Sequence, residues 1–224
     1  MEILNKENWD KLLTLAKNGD DKSQYEVACY LENGEGNIVE QNLSEAFEWY
    51  QKAYENGNIK ATVRFADFVS EGIICKQDVD LAIRLYNICI ENGSGIASQN
   101  LATIYRDKQN FKQAFNLYKK TQELEKIYPL SLALCYYYGI GTVENKKMAM
   151  EIFLNISKNE TETEYVNYPY EIDEANYYLG KIYLEGEIVV KSLEKARYYL
   201  RLANTDNDHN SANELLLLIG RDTQ

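Results

Sequence analysis

Hydrophobic residues recur along most of the chain at spacings of three and four, the period of one face of an α-helix. The clearest segments are 42–57, NLSEAFEWYQKAYENG, and 78–93, DVDLAIRLYNICIENG, which align so that Tyr50 falls on Tyr86. In both, an alanine stands four places before the tyrosine and a small or apolar residue three places after it. The pattern predicts an amphipathic helix, here called helix B. It recurs around three later alanines, Ala114, Ala149 and Ala196.

A second helical pattern, here called helix A, precedes each helix B. A small residue is followed four places later by a large apolar one, and then usually by a second small residue. The instances are Ser23/Val27/Ala28, Ala61/Phe65/Ala66, Ala97/Leu101/Ala102, Ala175/Leu179/Gly180 and the partial Leu132/Ala133. Glycines such as Gly72 mark the end of most A helices, because glycine accepts left-handed backbone angles at little cost. The chain is therefore predicted to consist of A/B helix pairs, whose small residues allow close helix packing.

The segments LGKIYLEGEIVVKSLEKARYYLRLA (179–203) and LSEAFEWYQKAYENG (43–57) resemble the Sel-one-like repeat (SLR), a relative of the tetratricopeptide repeat (TPR). The resemblance implies an all-α fold, a right-handed α-α superhelix of the SLR/TPR-like solenoid type. We expect about five helix pairs in a single domain, 1–224, with lone helices covering the two ends. The predicted segments are a capping helix at 6–17, repeats at about 23–57, 61–93, 97–124, 128–157 and 175–203, an insert at about 157–172, and a capping helix at 210–219.

Composition and charge narrow the choice of partner. The formal net charge is −11, and an acidic surface repels phosphate groups, so neither nucleic acid nor an anionic membrane is expected as a partner. A protein with a basic surface is the better candidate. The first twenty residues lack a signal-peptide pattern, and no apolar run is long enough to span a bilayer, so a cytoplasmic location is predicted.

The sequence offers little for catalysis or metal binding. It has one histidine, His209, and no Ser-His-Asp or Cys-His arrangement can be assembled around it. The four cysteines form no CxxC pair, which argues against a zinc or redox site, and the acidic residues lack EF-hand spacing. We therefore predict a protein that is not an enzyme, with no catalytic residues, no metal site and no cofactor.

In TPR-like stacks the concave face is lined by helix A, and the resemblance implies that fixed positions around its large apolar residue point into the groove. Tyrosine suits such a face because it offers a large, stiff contact with a polar tip, and carboxylates beside it complement Lys and Arg of a partner. The predicted groove residues are Tyr25, Asp67, Glu71, Gln99, Arg106, Asp107, Tyr137, Tyr138, Tyr177, Lys181 and Glu185. The insert is either a neutral insertion or a second contact, which would use Glu162, Glu164, Tyr165 and Tyr168.

These observations favour a protein–protein interaction scaffold that holds a partner protein or peptide in its groove. The resemblance implies that some such proteins in bacteria are immunity proteins, and an acidic chain suits the neutralisation of a basic toxin. A general adaptor or regulator in a signalling or stress pathway is the alternative, and a small-molecule-binding protein or an enzyme is a further one. A monomer or weak dimer is expected.

Overall fold

The computed structural model describes residues 5–158 and 167–221. Over these residues the chain forms helices joined by short turns, and the predicted all-α class is confirmed. The helices are α1 (Lys6–Lys17), α2 (Asp21–Asn33), α3 (Leu43–Glu55), α4 (Ile59–Glu71), α5 (Val79–Glu91), α6 (Gly95–Asp107), α7 (Phe111–Glu125), α8 (Leu130–Tyr138), α9 (Lys146–Lys158), α10 (Pro169–Glu185), α11 (Leu193–Leu202) and α12 (Asn210–Arg221).

Short polar side chains begin most of the described helices, and glycines end most A helices. The side chains of Asn42 and Asp78, for example, accept hydrogen bonds from backbone N–H groups of the first turns of α3 and α5. Gly72, Gly139 and Gly186 follow α4, α8 and α10 with left-handed backbone angles. The predicted role of these glycines is confirmed, because each gives the chain a tight exit from helix A towards helix B.

Contacts divide the chain into two compact units, Met1–Leu101 and Ala102–Gln224. In the first unit each of the helices α1 to α5 packs on its neighbours in sequence. In the second unit the same holds from α7 to α12. The single-domain organisation of the chain stays a prediction.

The repeated aromatic position of helix B lies in the core. Tyr50 and Tyr86 are fully buried in the first unit, and Phe153 takes the same position in the second. Small residues on helix A allow close approach, as Gly180 shows: a Cβ built there would lie 2.6 Å from Cγ of Leu200 on α11. The repeat therefore sets both the buried aromatic residue and the spacing of the helices.

Among the described helices, none combines the length and apolarity needed to cross a bilayer. Residues 159–166, which include Glu162, Glu164 and Tyr165 of the predicted insert, lie outside the described residues. Tyr168 is described: it is exposed just before α10, and its ring stacks on that of Tyr170 at 5.8 Å.

Candidate functional site

Four tyrosines of the second unit lie together where α8 meets α10. Tyr137 and Tyr138 end α8, and Tyr177 and Tyr178 lie in the middle of α10. We call this group the tyrosine cluster. The ring centroid of Tyr137 is 4.8 Å from that of Tyr138 and 5.0 Å from that of Tyr178, with edge-to-face geometry. Such contacts hold aromatic side chains in fixed orientations.

The core of the second unit supports the cluster from beneath. The ring of Tyr178 lies 5.1 Å from that of Phe153 on α9, and the two planes differ by only 4°. Tyr137 is 4% exposed, whereas Tyr138 beside it is 51% exposed. Tyr137 is therefore mainly a support, and Tyr138 offers the accessible surface.

The hydroxyl groups of the cluster bond to one another and to a carboxylate. The oxygens of Tyr138 and Tyr178 are 3.0 Å apart, and the Tyr137 hydroxyl donates to Oε2 of Glu185 at 3.3 Å. Burial is the main cause that raises the pKa of Tyr137 and of Tyr178 above the usual value for tyrosine. The hydroxyls of Tyr137 and Tyr178 therefore act as neutral donors and acceptors at neutral pH.

A row of side chains four residues apart on α10 brings charge to the cluster, since this spacing keeps them on one helix face. The row is Asp173, Tyr177, Lys181 and Glu185. Nζ of Lys181 lies 5.6 to 5.9 Å from the ring centroids of the three tyrosines Tyr137, Tyr177 and Tyr178. This is cation–π distance, so Lys181 is held against the rings.

Carboxylates gather at the other end of this row. Burial, and after it the like charges of Asp208 and Asp206, raise the pKa of Asp173 above its usual value. His209 lies beside them: its ring is 4.9 Å from that of Tyr177, and its Nε2 is 3.8 Å from Oε1 of Glu174. This end of α10 therefore carries closely spaced negative charge next to an aromatic surface.

In the first unit, two carboxylates, the predicted groove residue Asp67 and Glu32 of the preceding helix A, are held by a cation of the chain itself. Arg64 on α4 bonds to Glu32 on α2, and its NH1 lies 2.5 Å from Oδ2 of Asp67. Buried tyrosine hydroxyls complete the network, since Tyr50 donates to Glu32 and Tyr86 donates to Asp67, both at 2.6 Å. Asp67 and Glu32 are therefore structural anchors as well as surface groups.

The structure places the predicted residues in different settings. It brings Tyr137, Tyr138, Tyr177, Lys181 and Glu185 together at the tyrosine cluster, as described above. In the first unit the ring of Tyr25 packs 6.0 Å from that of Tyr50, and Glu71 is exposed near Asp67.

Three other predicted groove residues lie on α6. Arg106 is exposed in the second unit and bonds to its neighbour Asp107 through Nε and NH2 at 3.1 and 3.0 Å. Gln99 is half-buried in the first unit. The role of every residue named for the groove stays a prediction.

Sequence reasoning missed two residues that the geometry makes central, Tyr178 and Arg64. Tyr178 directly precedes the large apolar residue of its helix A, and Arg64 holds the corresponding place in an earlier repeat. A signal for Arg64 was present, because an arginine three residues before Asp67 is a favourable helical ion pair. Nothing comparable pointed to Tyr178.

Over the described ranges, no cluster of three or more histidine, cysteine or acidic side chains has an arrangement that could hold a metal ion. The four cysteines are free thiols. The tyrosine cluster and the charged side chains beside it offer aromatic rings, hydroxyl groups and charges, which suit the recognition of a partner by surface contact.

Comparison with known proteins fits this architecture. The Sel1 repeat family matches the chain in five places, over residues 21–58, 66–94, 97–121, 130–154 and 173–208. The chain belongs to the Sel1 repeat family. Sel1 repeat proteins mediate protein–protein interaction, and the family is generally one of non-enzymatic scaffolds. A search of curated proteins finds no match for this Sel1 repeat protein.

Solved structures share its fold. A protective antigen present in uropathogenic Escherichia coli strains, which displays an SLR fold, matches 97% of this chain with a TM-score of 0.78 and 20% identity. This Sel1 repeat protein spans only 45% of that antigen's length. A Sel1 repeat protein from Oxalobacter formigenes matches over 92% of this chain and 82% of its own, with a TM-score of 0.73 and 19% identity.

A more distant likeness is to an immunity protein from Pseudomonas aeruginosa. It covers 91% of this Sel1 repeat protein and 75% of its own chain, with a TM-score of 0.51 and 14% identity. At such identities these likenesses show the fold alone.

Proposed function

We propose that this Sel1 repeat protein binds a partner protein with a basic surface segment, and that the tyrosine cluster is a main contact. The observation that carries the proposal is the exposed ring of Tyr138, fixed by Tyr137 and Tyr178, on a surface that continues along α10 to Asp173 and Glu174. Rigid tyrosines lose little conformational entropy on binding, which is why they serve as hot spots.

Charge supports a basic partner. The net charge of −11 gives a long-range attraction for cations. Locally, the raised pKa of Asp173 reflects burial and the nearness of Asp206 and Asp208. A lysine or arginine of the partner placed there would relieve the repulsion among these carboxylates.

The proposal extends to a specific role, that of an immunity protein which neutralises a basic toxin. The shared fold with the Pseudomonas aeruginosa immunity protein makes this role compatible with the architecture, and the acidic charge fits a cationic target. An inhibitor of this kind needs binding and no chemistry of its own, in keeping with a scaffold family.

The test uses the exposed tyrosine and a matched control. The chain is co-expressed with each toxic reading frame encoded beside its own gene, and cell survival and complex affinity are measured. Tyr138→Ala and Tyr177→Ala are each expected to weaken binding about tenfold or more, the effect of losing a hot-spot ring. Tyr198→Ala, at an exposed tyrosine on α11 outside the cluster, is the control and should bind normally.

Salt dependence provides the second readout. Affinity for a basic partner falls as ionic strength rises, because exposed charges are screened. A partner whose affinity does not change with salt concentration would contradict the proposal of a basic segment. Unchanged affinity in both cluster variants would remove the tyrosine cluster from the interface.

A further inference from the structure

A cavity in the first unit lies among α2, α4 and the segments that follow them. Its volume is about 400 Å³, which is large enough to admit one long side chain. We call its bonded group of charged residues, Glu32, Arg64 and Asp67, the back wall, and its other polar lining residues, Asn33, Gln41 and Glu71, the side walls. Three apolar residues complete the cavity: Leu43, Phe68 and Ile73.

The back wall is already satisfied and keeps one net negative charge. Arg64 bonds to both Glu32 and Asp67, so one cation faces two carboxylates. The hydroxyls of Tyr50 and Tyr86 and the side-chain amide of Asn100 occupy further acceptor positions on these carboxylates. These bonds hold the back wall rigid. Because Arg64 is already paired with two carboxylates, it does not neutralise the third carboxylate of the cavity, Glu71.

The side walls present hydrogen-bond acceptors to the cavity. The amide nitrogen of Asn33 donates to the carbonyl oxygen of Cys29 at 2.8 Å, and that of Gln41 donates to the carbonyl oxygen of Glu32 at 2.8 Å. Each bond takes one of the two N–H groups of the amide, and no described residue donates to either amide oxygen. Glu71 is exposed and has no ion pair within the part of the chain that the structure describes.

The cavity thus combines an excess of acceptors with an apolar side. Its three carboxylates outnumber its single guanidinium, so an anion would be repelled and a neutral group would leave Glu71 unpaired. Ile73 is 50% exposed at the rim and, with Leu43 and Phe68, offers a surface for a hydrocarbon stem. Long cationic side chains pair a hydrocarbon stem with a charged head in this manner.

We propose that this cavity is a subsite for an arginine side chain of the partner protein. The planar guanidinium has five N–H donors and can bridge Glu71 and an amide oxygen at the same time, which the compact ammonium of lysine does less well. The subsite rests on the proposed function, because the arginine belongs to the basic segment of the partner.

The experiment uses a small probe in place of the partner. Nα-acetyl-arginine amide is titrated into the full chain while the methyl signals of Ile73 and the side-chain amide signals of Asn33 and Gln41 are followed by NMR. A probe of this size is expected to bind with a roughly millimolar dissociation constant, and its binding should saturate. The citrulline analogue, which has the same shape without the charge, should produce no saturable shift.

Two glutamate variants distinguish binding of the probe in the cavity from a general attraction to the negative charge of the protein. Glu71→Gln is expected to weaken the probe about fivefold or more, because a charge-assisted hydrogen bond is lost. Glu91→Gln removes the same charge from an exposed position on α5 and should leave probe binding unchanged. Both substitutions are at exposed positions, so the fold is retained.

Several outcomes overturn the subsite: no saturable shift, equal binding of the citrulline analogue, or equal loss of affinity in the two variants. Because the probe needs no partner, these results are independent of the test at Tyr138. If the tyrosine variants bind the partner normally and the probe still binds in the cavity, only the interface at the tyrosine cluster is refuted. If the tyrosine variants lose affinity for the partner and the probe does not bind, only the arginine subsite is refuted.

Discussion

The hydroxyl of Tyr86 donates a 2.6 Å hydrogen bond to Oδ1 of Asp67, which joins a buried ring on α5 to a half-buried carboxylate on α4. Tyr50 and Glu32 form the same link between α3 and α2. The tyrosine of helix B therefore fills the core with its ring and fixes a charged residue of helix A with its hydroxyl. Burial is the main cause that raises the pKa of both tyrosines, so both hydroxyls remain donors.

Tyr86→Phe is expected to lower the free energy of unfolding by roughly 1–2 kcal/mol, because Asp67 loses a donor in a partly buried site. Urea unfolding measures the change. Tyr54→Phe is the matched control, since its ring stacks on Phe65 at 5.4 Å and no described residue bonds to its hydroxyl. That control should change stability by less than about 0.5 kcal/mol, and equal losses in the two variants would contradict the role given to the Tyr86 hydroxyl.

Gly180→Ala should destabilise the second unit by roughly 1–3 kcal/mol, as expected for overpacking. The added methyl group would lie 2.6 Å from Cγ of Leu200, so α10 and α11 must separate or Leu200 must leave its rotamer. Gly220→Ala makes the same change in α12, where no described atom outside the neighbouring backbone of that helix lies within 4 Å of the added carbon. This control should raise stability by about 0.5 kcal/mol through helix propensity, and thermal unfolding of the pair gives the comparison.

Asp173→Asn is expected to stabilise the protein at neutral pH by about 0.5 kcal/mol or less, since solvent screens a partly exposed carboxylate. The pKa of Asp173 is raised in the folded state, so the folded protein binds this proton more tightly than the unfolded chain does. The contribution of this group to stability is therefore greatest below its unfolded pKa and is lost as the pH rises through the folded value.

The gain from Asp173→Asn should consequently shrink as the pH falls from about 7 to about 4. Denaturant unfolding at several pH values measures it. In the Asp208→Asn background the gain should also be smaller, because one of the like charges that raise the pKa has gone. A gain that is independent of both pH and Asp208 would rule out charge repulsion as its source.

Cys89 and Cys135 are expected to react with a thiol reagent only when the protein unfolds. Both are buried, and burial is the main cause that raises the pKa of each thiol to about 11. At about pH 8 the thiolate, which is the reactive form, is then rare as well as inaccessible.

Cys29 and Cys75 are only partly buried and should be labelled in the native protein. Labelling kinetics followed by mass spectrometry would show two fast and two slow sites, and all four would react in denaturant. Uniform rates in the native state would show that Cys89 and Cys135 are more accessible than their burial indicates.

Much of the fold is predictable because it follows from local rules that act again in every repeat. The interval between Ala46 and Tyr50 places both on one face of α3, and both are buried. Gly72 ends α4 because its backbone takes left-handed angles, which glycine adopts at little cost. Helical periodicity and left-handed glycines need no distant partner, so a sequence pattern suffices to predict them.

The sequence by itself determined the all-α repeat and the buried aromatic position of helix B. Tertiary structure alone decided that Tyr137 is buried while Tyr138 is exposed, although the ring of Tyr178 on another helix contacts both. Residues adjacent in a helix point in different directions, and only the packing of the helices settles which of them faces the core. It also decided that Arg64 of α4 reaches Glu32 on α2. Such pairings depend on which helix packs beside which, and helical spacing within one segment carries no information about the side chains of another.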